Sequence, residues 1–164
     1  MLKPKKKAIG IFGGSFDPPH EGHIEISEKS LKKLKLKKVY WIITKKNPFK
    51  NKAFFSLKTR IQKSKRILKK YKDIQILYLD DKVKSSRMIN IINYFRTIKN
   101  QKNLYLILGS DNLLNFHKWY KWKKIVKLTK LVVFSRKGYD KKSKESFIVK
   151  YLNKKNITFV KNKL

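Results

Sequence analysis

The sequence contains no cysteine among its 164 residues. That excludes a disulfide framework, a thiolate metal site and a thiol nucleophile, and it suits a reducing compartment. No apolar run approaches the roughly 18 residues that a membrane span needs. The basic start, Met1-Leu2-Lys3-Pro4-Lys5-Lys6-Lys7, passes at once into strand-like sequence. It lacks the longer apolar region and small-residue cleavage site of a signal peptide, so the expectation is a cytoplasmic chain with no membrane partner. Acidic residues are scarce: ten against 44 basic ones, a formal net charge of +34. Such an excess ordinarily points to phosphate polymers. Yet arginine is scarce as well, at only five positions, Arg60, Arg66, Arg87, Arg96 and Arg136, and arginine is the better tool for planar contacts with phosphates and base edges. The lysines are spread along the whole chain rather than gathered in one arm. They read as a chain-wide compositional bias that leaves a solvated surface with weak, salt-sensitive attraction to nucleic acid, and no specific nucleic-acid partner is expected.

The two common nucleotide loops are also missing. There is no Gly-x4-Gly-Lys-Ser/Thr P-loop, and Gly10-x2-Gly13-Gly14 is not the dinucleotide Gly-x-Gly-x-x-Gly fingerprint. P-loop NTPase and hydride-transfer readings are therefore poor.

What the sequence does contain is a regular alternation. Short, β-branched apolar runs at 8–12, 39–44, 74–79, 104–108, 131–135 and 157–160 alternate with lysine-rich stretches of helical spacing at 24–34, 56–71, 87–99, 119–128 and 143–152. Nearly continuous apolar runs are how strands buried on both faces of a parallel sheet read. Ser56 is placed to cap the second helix, and Leu57, Ile61, Ile67 and Leu68 give it one apolar stripe. The pattern predicts a single α/β domain over residues 1–164: a doubly wound, mostly parallel sheet with helices on both faces. Ligands in such folds bind at the carboxyl ends of the strands, near the switch point. The unusual residues fall there: Gly13 to His23 after the first strand, Asn47-Pro48-Phe49-Lys50 after the second, Gly109-Ser110-Asp111 after the fourth and Ser135-Arg136 after the fifth.

The densest of these is Gly13-Gly14-Ser15-Phe16-Asp17-Pro18-Pro19-His20-Glu21-Gly22-His23. Two glycines let backbone N–H groups approach an anion closely. A helix start adds unpaired N–H donors and the positive end of a dipole. His20 and His23 add imidazole donors. The segment is built for phosphate.

It resembles the His-x-Gly-His nucleotidylyltransferase superfamily, and within it the nicotinate-nucleotide adenylyltransferases. Pantetheine-phosphate enzymes usually carry Thr where this sequence has His20. A second segment, Gly109-Ser110-Asp111-Asn112-Leu113-Leu114-Asn115-Phe116-His117-Lys118-Trp119-Tyr120, is similar to that family's Gly-x-Asp-x-Leu-x-x-Phe…Trp signature. The resemblance runs over residues 8–162. It implies adenylyl transfer from ATP to nicotinate mononucleotide, giving deamido-NAD and pyrophosphate, with Mg²⁺ arriving on ATP and no metal ligands in the protein. It implies that His20 and His23 are catalytic, and that Gly13, Gly14, Ser15, Phe16, Gly22, Gly109 and Asp111 bind ATP. Lys50, Ser86, Arg87, Met88, Trp119, Tyr120 and Arg136 would bind the mononucleotide, with Trp119 against the pyridine ring. His117 reads as a solvated loop residue. A homo-oligomer is left open.

Two departures stand against the family pattern. Where it has Ser/Tyr-Tyr-Thr opening the third helix, this sequence has Ser85-Ser86-Arg87-Met88, which leaves nicotinate against nicotinamide mononucleotide undecided. The family's Ile-Ser-Ser-Thr-x-Ile-Arg segment, which grips the triphosphate, has no counterpart before Leu164, so the expectation is a domain without that clamp. The alternatives are a related adenylyltransferase with a nicotinamide mononucleotide or pantetheine-phosphate acceptor, and a catalytically impaired, basic nucleic-acid-binding protein.

Overall fold

The computed structural model describes residues 6–45 and 52–162. Along the chain run β1 (Ile9–Gly14), α1 (Glu21–Leu34), β2 (Lys38–Ile43), α2 (Leu57–Ile67), β3 (Ile74–Tyr78), α3 (Asp80–Val83), α4 (Met88–Thr97), β4 (Leu104–Gly109) and α5 (Ser110–Leu113). A 3₁₀ turn (Phe116–Lys118), α6 (Trp122–Leu128), β5 (Lys130–Phe134), α7 (Asp140–Lys144), α8 (Phe147–Leu152) and β6 (Ile157–Val160) complete it.

The strands form one sheet in the order β3-β2-β1-β4-β5-β6, and every pairing is parallel. The chain winds outward from β1 to β3, then returns to lay β4 on the other side of β1. The switch point therefore lies between β1 and β4, where the two carboxyl ends open a crevice.

Strand periodicity divides the core in two. Ile9 and Ile11 of β1, Leu106 and Leu108 of β4, and Leu131 and Val133 of β5 face α4, α6 and α8, meeting Ile92, Phe95, Ile125 and Ile148. Phe12, Trp41, Ile107 and Val132 face the other way, with Ile24 and Ile26 of α1. Alternate residues thus serve opposite layers, which is why the runs read as almost continuously apolar. Gly10 is needed in the middle of β1 because a Cβ there would come within 2.8 Å of Ile107 Cδ1 and 3.1 Å of Leu36 Cδ1.

All six expected strands are present, and Ser56 caps α2 by accepting the Thr59 N–H at 3.2 Å. The helices differ more. α1 begins at Glu21, before the first apolar residue of its stripe, because His20 supplies its cap. The stretch 143–152 divides into α7 and α8, with Ser146 at the N-cap position of the second. The stretch 119–128 starts its helix only at Trp122, after Lys121 takes a left-handed φ of 53°.

Candidate active site

β1 ends in Gly13 and Gly14, and the chain then turns through Phe16, which has a φ of 48°. That left-handed conformation is uncommon for an aromatic residue. Packing holds it there: the side chain is 2 % exposed, stacks on Trp41 with ring centroids 4.7 Å apart, and lies 4.9 Å from the ring of His23. Trp41 in turn donates its indole N–H to Ser27 Oγ at 2.8 Å, and that hydroxyl donates to the His23 carbonyl at 2.8 Å. A core residue of β2 thereby fixes the first turn of α1.

His20 and His23 form a reciprocal cap on that turn. His20 Nδ1 accepts the Gly22 N–H at 3.1 Å, and His23 Nδ1 accepts the His20 N–H at 3.1 Å. Two of the helix's otherwise orphaned donors are satisfied this way. The two rings lie 3.9 Å apart. An Nδ1 that accepts cannot carry the proton, so each neutral imidazole holds it on Nε2. Partial burial, and secondarily the Arg136 cation, push the His20 pKa below its ordinary 6.5. His20 is therefore a neutral N–H donor at neutral pH.

The cap opens on a cleft of about 430 Å³ that also takes in Gly22, Asp111, Arg136 and Asn162. Arg136 Nε lies 3.3 Å from Asp111 Oδ1, an approach without hydrogen-bond geometry, and that oxygen has no hydrogen-bond partner among the described residues. Both side chains are partly exposed, so the pair contributes little stability. Gly109 makes the approach feasible: a Cβ there would sit 2.5 Å from Asp111 Oδ1 and 2.9 Å from Arg136 Nε. Ser110 Oγ donates to Asp140 Oδ1 and accepts the Arg136 N–H, both at 2.9 Å, and Arg136 N–H also reaches Asp140 Oδ1 at 2.9 Å. This knot ties the exit of β4 to the exit of β5.

A second group gathers across the sheet's edge. The Met88 methyl lies 2.7 Å from where a Gly13 Cβ would be. Arg87 stands over the Tyr120 ring at 4.1 Å, and Ser86, just before it, is exposed. Trp119 packs on Phe116, ring centroids 4.7 Å apart, against the layer of α4, α6 and α8. Gly13, Arg87, Met88 and Tyr120 are thus brought together. Arg136, expected with this group, instead shares the cleft of His20, His23 and Asp111. Lys50 lies outside the described residues. Among the described residues, no three His, Cys, Asp or Glu side chains gather to hold a metal ion.

Three residues the sequence did not single out support the site. Arg60 is 2 % exposed and donates to the carbonyls of Ser15, Thr44, Lys45 and Phe55 at 2.8–3.1 Å. Asp17 accepts the Phe54 and Phe55 N–H groups at 2.6 and 2.8 Å. Asp140 anchors the knot just described. An arginine in a lysine-rich helix reads as surface, and a carboxylate in a loop carries no periodic signal.

A doubly wound parallel sheet with paired imidazoles at its switch point defines the class: a Rossmann-like nucleotidyltransferase fold. The chain belongs to the cytidylyltransferase-like family, whose model matches residues 11–160. It is 47 % identical over 159 residues to a Pelagibacter ubique protein named as a probable nicotinate-nucleotide adenylyltransferase, covering 97 % of this chain and 88 % of that one. It is 35 % identical over 161 residues to a Mycoplasma genitalium protein named as a probable nicotinate-nucleotide adenylyltransferase/Ap4A hydrolase, covering 97 % of this chain but only 46 % of that one. Its fold matches the Plasmodium falciparum nicotinic acid mononucleotide adenylyltransferase complexed with NaAD, with a TM-score of 0.77, 17 % identity, and coverage of 97 % of this chain and 77 % of that chain.

Proposed function

We propose that this chain transfers the adenylyl group of ATP to nicotinate mononucleotide, releasing pyrophosphate and forming the dinucleotide precursor of NAD. The observation that carries the reading is the reciprocal imidazole cap: both Nδ1 atoms accept backbone N–H groups, which leaves the protons on Nε2, and the cap opens on the cleft shared with Arg136. The names of the relatives support the acceptor.

The nucleophile is the mononucleotide's own phosphate, already anionic at neutral pH. Its oxygen attacks the α-phosphorus in line, the new P–O bond forms, and the bond to pyrophosphate breaks. No protein nucleophile is required. The protein's contribution is alignment and charge neutralisation. His20 donates to the triphosphate, and Arg136 neutralises charge beside it. Asp111 accepts the adenosine ribose hydroxyls once Arg136 turns to phosphate. Arg87, Met88, Trp119 and Tyr120 receive the mononucleotide, Arg87 facing its carboxylate, with Gly13 beside Met88 on the ATP side. Mg²⁺ enters as part of the MgATP substrate. The reading places the chain in the cytoplasm; no helix among the described residues is long and apolar enough to cross a membrane.

The test incubates the purified chain with MgATP and, separately, nicotinate mononucleotide, nicotinamide mononucleotide and phosphopantetheine, following pyrophosphate release and dinucleotide by chromatography. Turnover with the nicotinate acceptor at the highest kcat/KM is expected. Faster turnover with phosphopantetheine, or none with any acceptor, would sink the reading.

A further inference from the structure

Arg60 sits beneath the glycine turn without contacting the cleft. Its Nη1 donates to the Ser15 carbonyl at 2.9 Å and the Thr44 carbonyl at 2.8 Å, its Nη2 to Lys45 at 3.1 Å and its Nε to Phe55 at 3.1 Å. One buried cation thus joins the turn after β1, the exit of β2 and the entry to α2.

A trans peptide is planar, with its C=O and N–H pointing in opposite directions. The Thr44–Lys45 peptide displays the consequence. Its carbonyl points to Arg60, and its N–H donates on the opposite side to Asp80 Oδ2 at 2.9 Å. The Ser15–Phe16 peptide is also trans. With the Ser15 carbonyl held by Arg60, the Phe16 N–H points away from the guanidinium. Trp41 and His23 lie against the Phe16 ring, and Arg60 holds the carbonyl of the peptide that precedes it.

We propose that Arg60 is a positioning residue for the polyphosphate: by holding the Ser15 carbonyl it presents the Phe16 N–H to the anion that His20 binds. The assignment rests on the proposed function. Release of this peptide would let it rotate, replacing a donor facing the anion with a carbonyl oxygen of the wrong polarity. A fixed donor matters because it needs no reorganisation as charge shifts onto pyrophosphate.

The test compares wild type with Arg60→Lys and Arg60→Met. It reads kcat, KM for ATP, KM for nicotinate mononucleotide, affinity for inorganic triphosphate, and Tm. Lysine keeps the charge but cannot reach four carbonyls from one ammonium. Both variants should weaken ATP and triphosphate binding about tenfold or more, while KM for the mononucleotide stays within about twofold. A merely structural role would lower Tm and leave the two KM values in proportion. Should either variant fail to fold, an amide-to-ester replacement at Phe16 removes the N–H and keeps the ring, and the same loss for ATP is expected. Folded variants with ATP and triphosphate parameters within twofold of wild type overturn the inference alone. A wild-type chain that neither turns over nor binds triphosphate overturns the proposed function and this assignment together.

Discussion

Phe16 lies almost flat on Trp41, the two ring planes 10° apart. The stack joins the glycine turn to the neighbouring strand β2, and the same indole reaches α1 through Ser27. Trp41→Phe removes the indole N–H, strands the Ser27 hydroxyl and shrinks the stack. A loss of about 1–3 kcal/mol is expected, seen as a Tm drop of roughly 2–10 °C for a chain of this size. An unchanged Tm would show that the stack bears no stability.

His20→Asn separates capping from chemistry. Asparagine is a good N-cap and can accept the Gly22 N–H, so the variant should fold with a Tm close to wild type. It lacks the Nε2–H donor, and kcat/KM for ATP should fall about 10²-fold or more. Retained turnover would remove His20 from the mechanism.

The same variant has a pH signature. The folded His20 pKa is lowered, so the unfolded chain takes up the proton first as pH falls. Stability should be level above about pH 6.5, decline as pH falls through that value, and level off below the lowered folded value. That decline should be smaller in His20→Asn, read as Tm against pH. A parallel slope in both proteins would contradict the assignment.

Gly109→Ala probes the Asp111–Arg136 approach. The added methyl overlaps both side chains, so one must turn aside. KM for ATP should rise several-fold while Tm changes by only a few degrees. An unaltered KM would detach this pair from nucleotide binding.

Ser56→Ala removes the cap of α2, the helix that carries Arg60. About 1 kcal/mol of stability should be lost, measurable by urea unfolding. No change in midpoint would mean that α2 is held by packing alone.

The sheet was legible because its strands are buried on both faces. Leu106, Ile107 and Leu108 give no alternation to misread, only a short apolar run that a parallel layer explains. The carboxyl-edge motifs followed from that frame. Helix starts were less legible. The apolar stripe of α1 begins at Ile24, but its first turn is capped by imidazoles rather than by Ser, Thr, Asp or Asn, so composition gave no boundary. The site's supports were hidden for the same kind of reason. Arg60 acts through carbonyls, which have no sequence identity, and Asp140 acts across three elements that meet only after folding. Arg136 was read at the right strand end, yet which neighbour it joins depends on the turn of the loop beyond β5.

The methionine that fills the space beside Gly13 carries a further consequence. Met1 and Met88 are the chain's two methionines, and no cysteine competes with them for an oxidant. Met88 is the one sulfur among the described residues, and its methyl lies against the end of β1. Conversion of its thioether to a sulfoxide would set a polar, bulkier group against the end of β1, so oxidation in this protein would be felt first as crowding at that strand exit rather than as a lost crosslink.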